Sequence, residues 1–278
     1  MNQTLCFIGA GNMARSLIGG LIARDVAATG IVVADPVATQ LSSLQQAFGV
    51  RIATDNASAA RDADVVILAV KPQQMRNVVT QLAPVLAAKR PLIISVAAGI
   101  RAADIQRWSG GLAVVRCMPN RPALQGCGMT ALFAMPQVSG DSRELAMKIL
   151  GAVGATLWVE HEAQMDAVTA VSGSGPAYFF LLIEMLEQTG VALGLPAPVS
   201  RQLATETAYG SARMAREASE SAATLRQQVT STGGTTEAAL QHLEANNVRA
   251  IFAAAVTAAA RRSAALADEY GADESGNG

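Results

Sequence analysis

Lysine is nearly missing from this chain: Lys71, Lys89 and Lys148 are the only ones, so everything beyond residue 148 lacks the side chain that most often serves as a cationic acid or base. Histidine occurs only at His161 and His242. The three cysteines, Cys6, Cys117 and Cys127, show no metal-ligand spacing, and together with so few histidines they offer no metal site. They also form no disulfide framework, and Cys6 and Cys117 read as buried small hydrophobes. Charged residues make up 15% of the chain, the formal net charge is −1, and the cations are scattered. That distribution excludes an electrostatic footprint for nucleic acid or an anionic membrane. No segment approaches the roughly 20 uninterrupted apolar residues of a membrane span, and the N-terminus has no basic region followed by a cleavable apolar stretch. These absences predict a cytoplasmic protein whose partners are small molecules.

What is abundant is aliphatic. The chain has 278 residues, 51% of them hydrophobic and only 4% aromatic, a mix that suits α/β sheets and tightly packed helices in two domains. Short β-rich runs are expected as strands at 5–8, 31–34, 65–70, 92–96, 114–117, 129–133 and 156–159. Helical patterns at 13–24, 39–48, 74–82, 102–108 and 141–153 alternate with them, which is the signature of a parallel sheet with crossover helices. From Glu162 the strand signal stops and apolar residues recur at helical spacing over 176–189, 199–218, 235–244 and 248–267. The expected organisation is therefore a Rossmann-type parallel-sheet domain over 1–161, an all-helical domain over 162–270 and a loose tail over 271–278. Several of the later helices are apolar on more than one face, which calls for a subunit interface.

The run CFIGAGNMA places Gly9, Gly11 and Ala14 in Gly-x-Gly-x-x-Ala spacing directly after the first strand and at the start of a helix. There Gly9 permits the tight turn, Gly11 lets a pyrophosphate approach, and Ala14 lets helix pack on strand, so Ile8, Gly9, Ala10, Gly11, Asn12 and Met13 are candidate dinucleotide contacts. Asp35 ends the second strand about 20 residues on, where an acid commonly accepts from the adenosine ribose hydroxyls, and this favours NADH. A cap on the turn before Pro36 is the competing role. No Lys or Arg between Pro36 and Val50 meets a 2′-phosphate, although Thr39 and backbone amides offer hydrogen bonds for NADPH. Asn56 either sits against the adenosine or caps the next short helix. Ala69, Val70, Lys71 and Pro72 leave the strand at 65–70 and Ala97 leaves the one at 92–96, at the sheet edge where ligands of open α/β folds bind.

Two runs in the second half, AVSGSGPAY at 170–178 and VTSTGGTTEAAL at 229–240, are rich in glycine and hydroxyls and open helices. A cap needs one hydroxyl, whereas consecutive glycines make a nest of amides suited to a carboxylate. With GAGNMA, AVKPQ, VAAG and RCMPNRP, these motifs in this order resemble the pyrroline-5-carboxylate reductase family over residues 4–268.

The resemblance implies a Rossmann domain followed by a helical dimerisation domain, a substrate site at the interface of a homodimer that can assemble further, and hydride transfer from NADPH or NADH to pyrroline-5-carboxylate to give L-proline. It puts Ser231, Gly233, Gly234, Thr235 and Thr236 at the substrate carboxylate and ring nitrogen, with Thr236 and Ser231 as the catalytic pair. Glu162 and Thr169 are placed close to the substrate, although an acid at a helix start serves equally well as a dipole partner. Arg121, Thr232 and the stretch 219–222 depart from the family's usual residues. Two other readings stand beside it: a β-hydroxyacid dehydrogenase-like oxidoreductase, which would need a lysine that the helical half lacks, and a non-catalytic dinucleotide-binding paralogue.

Overall fold

Eight aliphatic runs become strands: β1 (Leu5–Ile8), β2 (Ile31–Ala34), β3 (Arg51–Ala53), β4 (Val65–Leu68), β5 (Leu92–Ser95), β6 (Val114–Met118), β7 (Gly128–Ala134) and β8 (Gly154–Trp158). In the computed structural model, which describes residues 3–272, they form one sheet in the order β3-β2-β1-β4-β5-β6-β7-β8. Every residue of β1, β2, β4 and β5 is buried, as expected where helices cover both faces of a parallel sheet.

The sheet departs from the all-parallel expectation at one pairing, β6 with β7, which is antiparallel. Between these strands the chain has only a short 3₁₀ turn, Arg121–Gln125, too little for the crossover that parallel pairing requires. Strand β3 was not anticipated as a strand. Its three residues begin at an exposed arginine and show no buried run.

The helices that cover the sheet are α1 (Asn12–Ile22), α2 (Ala38–Phe48), α3 (Asn56–Ala60), α4 (Pro72–Lys89), α5 (Ala102–Trp108) and α6 (Gly140–Leu150). Helix α4 runs past the expected end at Leu82 and carries Pro84 inside it. Leu82 and Leu86 on either side are almost fully buried, and burial of such side chains, about 1.5–3 kcal/mol each, offsets a proline cost of about 3 kcal/mol. Beyond the sheet lie α7 (Gln164–Val168), α8 (Gly175–Ala192), α9 (Ala197–Glu217), α10 (Ala222–Gln228), α11 (Thr235–Ala245) and α12 (Val248–Gly271). A π-helical turn, Thr169–Gly173, leads into α8. The short α7 and α10 were missed because a helix of two turns leaves little periodicity to detect.

By internal contacts the chain forms two units, one of residues 1–173 with 259–278 and one of residues 174–258. This differs from a single cut after residue 161, because the end of α12 packs with the sheet domain. Ser263 donates to Asp166 at 2.7 Å, the Gln73 amide donates to the Tyr270 hydroxyl at 2.9 Å, and Arg101 pairs with Asp268. The expected loose tail falls almost wholly outside the described residues.

Within the second unit, α8 and α12 leave large apolar side chains uncovered. Phe179 is 64% exposed, Phe180 60% and Ile251 66%. The stretches Gln164–Ala192 and Val248–Gly271 are long and apolar enough to cross a membrane by length and composition. Both carry charges that interrupt them, Glu184 and Glu187 in the first and Arg261 and Arg262 in the second, so neither is an uninterrupted apolar run.

Candidate functional site

At the carboxyl end of β1 the chain turns sharply. Gly9 has φ +105°, and its N–H donates to the Ala34 carbonyl at 2.8 Å. A Cβ at this position would lie 2.5 Å from the Ala69 carbonyl oxygen, so both the dihedral and the closeness of β4 require glycine. At Gly11 nothing lies within 4 Å of such a Cβ. That open face is where an anion can approach the first turn of α1, whose cap at Gly11 carries no side-chain hydrogen bond and whose first turn holds no acid. Ala14 on the same helix is fully buried, as close packing demands.

Gly9–Met13, Asp35, Asn56, Ala69–Pro72 and Ala97 follow the ends of β1, β2, β3, β4 and β5 in turn. These strands are successive neighbours in the sheet, so the residues share one edge on either side of the β1/β4 switch point. Lys71 caps α4 and Pro72 opens it, and Ala97 is buried. The group fits a dinucleotide: a glycine cradle that a Cβ would fill, free helix amides beside it, and small residues at the strand exits.

Two sequence expectations are refined here. Both oxygens of the Asp35 carboxylate are engaged, one accepting the Ala10 N–H and the other the Val37 N–H, each at 2.8 Å. The turn-capping role is thus the one that these bonds display. The cap of α3 is Asp55, which accepts from the Ala57 and Ser58 amides, and these bonds, the Ser58 amide foremost, hold its carboxyl below the usual range. Asn56 does not cap the helix.

One part of the site was missed. A cavity of about 520 Å³ beside the glycine turn is lined by Ala10, Gly11, Asn12, Arg15, Thr39, Gln40, Ser43 and Leu44. Arg15 Nη1 donates to Ser43 Oγ at 3.0 Å, and its guanidinium lies 5.4 Å from the centre of the Phe48 ring. This cation comes from α1, one residue past the glycine spacing, and not from the stretch after β2 where a phosphate-binding cation is expected.

Elsewhere in the first unit, Glu162 Oε1 accepts the Ala102 N–H at 2.6 Å and Arg116 Nη1 at 3.0 Å. The Thr169 hydroxyl donates to the Met165 carbonyl at 2.8 Å. Asn120, from the RCMPNRP run, accepts the Met129 N–H at 2.9 Å through its side-chain oxygen. Its amide nitrogen lies 3.3 Å from both the carbonyl and the hydroxyl of Ser172, which fixes the SGSGP turn.

In the second unit, Ser231 to Thr236 form the turn that opens α11. Gly233 adopts φ +73°, Gly234 caps the helix without a side-chain bond, and the Gly234 N–H returns to the Ser231 carbonyl at 3.0 Å. The Gly233 N–H donates to the carboxylate of Glu237 at 2.6 Å, a bond made within the same turn. The departure at 219–222 contains a helix cap: Ser221 Oγ accepts the Thr224 N–H at 3.2 Å and starts α10. Arg121 is exposed at the start of its 3₁₀ turn.

A predominantly parallel sheet with a glycine turn at its switch point and helix amides facing the open edge defines a Rossmann-type, dinucleotide-binding α/β protein. Residues 4–99 match the family model described as NADP oxidoreductase, coenzyme F420-dependent, and residues 162–266 match the one for pyrroline-5-carboxylate reductase dimerisation. The chain is 49% identical over 268 residues to the pyrroline-5-carboxylate reductase of Pseudomonas aeruginosa, an alignment that covers 96% of this chain and 98% of the relative. The solved pyrroline-5-carboxylate reductase from Coxiella burnetii is 42% identical with a TM-score of 0.92, covering 96% of this chain and 99% of that one. The Plasmodium falciparum pyrroline carboxylate reductase, solved with NADP bound, is 28% identical with a TM-score of 0.84, covering 96% and 98%. This chain belongs to the pyrroline-5-carboxylate reductase family.

Proposed function

We propose that this protein reduces Δ1-pyrroline-5-carboxylate to L-proline with NADPH or NADH, the last step of proline biosynthesis. The observation that carries the reading is the glycine- and hydroxyl-rich turn at Ser231–Thr236, whose Gly233 N–H donates to a carboxylate oxygen, that of Glu237, and which lies in the run that most resembles the family's substrate loop.

Gly9–Met13 would hold the pyrophosphate, Asn56 the adenosine, and Ala69–Pro72 and Ala97 the ribose and nicotinamide. When bound, the reduced nicotinamide supplies a hydride to the imine carbon. The substrate nitrogen enters protonated and leaves as the amine of proline, so the protein's task is binding and orientation rather than strong base catalysis. Ser231 and the amides of Gly233, Gly234 and Thr235 hold the substrate carboxylate, and the Thr236 hydroxyl hydrogen-bonds the ring nitrogen. Glu162 and Thr169 are the residues that the resemblance adds close to the substrate. A β-hydroxyacid dehydrogenase would need a lysine in the helical half, where the sequence has none.

The match to the dimerisation family and the uncovered faces of α8 and α12 support a homodimer, itself free to assemble further. Three free thiols suit the cytoplasm. Oxidation of NADPH or NADH on addition of pyrroline-5-carboxylate, with proline formed in equal amount, tests the activity, and no proline with either cofactor overturns it. Sedimentation of dilute protein should show no folded monomer.

A further inference from the structure

We propose that Arg15, together with Ser43 and Thr39, forms the subsite for the adenosine 2′-phosphate and so gives this chain a preference for NADPH over NADH. The inference rests on the reductase reading above and deepens it. Four observations lead to it.

Arg15, Thr39, Gln40 and Ser43 line the same cavity of about 520 Å³ as Gly11 and Asn12 of the glycine turn, and no carboxylate lines it. The cavity is thus next to the place where the pyrophosphate end of the dinucleotide lies, on the β2 side of the turn. Fold geometry puts the adenosine ribose on that side, and a nearby arginine is the usual means of accepting a 2′-phosphate.

Arg15 is also held in place without being neutralised. Its guanidinium lies over Phe48 and makes a hydrogen bond to Ser43 Oγ, which uses one of its five N–H donors, and no carboxylate pairs with it among the described residues. A cation held by an aromatic ring and a neutral hydroxyl keeps its charge for a ligand.

The nearby acid is tied down by backbone donors. One oxygen of Asp35 accepts the Ala10 N–H of the glycine turn and the other accepts the Val37 N–H of its own turn. Asp35 therefore acts on the cofactor site through the turn that it braces.

Finally, the three groups are chemically matched. A guanidinium and two hydroxyls present only donors toward a dianion, and two of them are already in contact with each other.

The test is calorimetric titration of the full-length protein with adenosine 2′,5′-bisphosphate, 5′-ADP, NADPH and NADH, for wild type, Arg15→Ala, Arg15→Lys and Ser43→Ala. Wild type should bind each 2′-phosphorylated ligand at least about tenfold more tightly than its partner without that phosphate, as charge-assisted bonds to a guanidinium allow. Arg15→Ala should remove most of that ratio while leaving NADH affinity within about twofold, Arg15→Lys should restore part of it, and Ser43→Ala should lower it less than Arg15→Ala does. The ratio for wild type should fall as salt is raised. If both dinucleotides bind and the ratio is near one in wild type, or unchanged in Arg15→Ala, the subsite is overturned and the reductase reading stands. If neither dinucleotide binds, both fall together. An equal loss for NADPH and NADH in Arg15→Ala would show that Arg15 supports the fold of α1 rather than the phosphate.

Discussion

Arg116, 4% exposed, is neutralised by Glu162, which lies 46 positions along the chain and meets it at 3.0 Å through the same oxygen that caps α5 at Ala102. This bond ties the middle of the sheet to the segment that precedes α7. Removing one partner of such a pair leaves a charge buried without compensation. Glu162→Ala should therefore lower stability by about 3–5 kcal/mol, readable as a reduced denaturant midpoint. Because the bonds of Glu162 are to Ala102 and Arg116, turnover per folded molecule should fall much less than stability. A stable Glu162→Ala protein with turnover abolished would place Glu162 on the substrate instead.

A side chain at Gly234 would displace the Ser231 hydroxyl. An added Cβ would lie 2.6 Å from the Ser231 hydroxyl and 3.1 Å from its carbonyl oxygen. Gly234→Ala should push Ser231 out of the turn and reduce kcat/KM for the imine acid by on the order of a hundredfold, as misplacement of a positioning group does. Cofactor affinity, measured by titration, should stay near wild type, since the glycine turn lies in the other unit.

The Thr236 hydroxyl is the proposed partner of the substrate nitrogen. Thr236→Val keeps the shape and removes the donor and acceptor, so loss of one hydrogen bond of about 1–3 kcal/mol should lower kcat/KM by about 5- to 150-fold. The helix cap at Gly234 uses no side chain, and therefore the melting temperature should hardly move. A destabilised protein with normal turnover would remove Thr236 from the mechanism.

The three thiols should react very unequally. Burial pushes Cys6 up to about 12 and raises Cys117 as well, whereas Cys127 is exposed. A thiol-specific reagent at mildly alkaline pH should label one cysteine per native chain and all three after denaturation, because only the thiolate reacts. Rapid labelling of a second cysteine in the native protein would show that the sheet opens more readily than its burial implies.

The central strands and the glycine turn were legible because their cause is local: aliphatic runs buried on both faces, and a glycine whose φ and neighbours forbid anything else. Strand β3 was not, since Arg51 at its start is exposed and only the pairing with β2 makes it a strand. The antiparallel return of β7 depends on what the chain lacks between Met118 and Gly128, a crossover helix, and is visible only once β6 is placed. At the site, the turn that opens α11 could be read from consecutive glycines and hydroxyls. The role of Glu162 could not, because its partner Arg116 is remote in sequence. Arg15 escaped for a similar reason: it approaches α2 across space, through Ser43 and Phe48, from a helix already assigned to another task.

The packing of the α12 end with the sheet domain bears on how the molecule is made. Gly99, at the exit of β5, has φ +71°, and a Cβ there would come within 3.2 Å of Leu266; Ala267 and Ser263 are buried in the same unit. Synthesis from the N-terminus delivers the strands first and these contacts last, after the whole insertion of residues 174–258 has emerged. Domains generally fold as units during synthesis, the N-terminal one first, but here that unit stays without the end of α12 until residues 174–258 have been made. The nascent sheet domain is therefore the species a chaperone would meet, and the helical insertion is complete before the domain that encloses it in sequence.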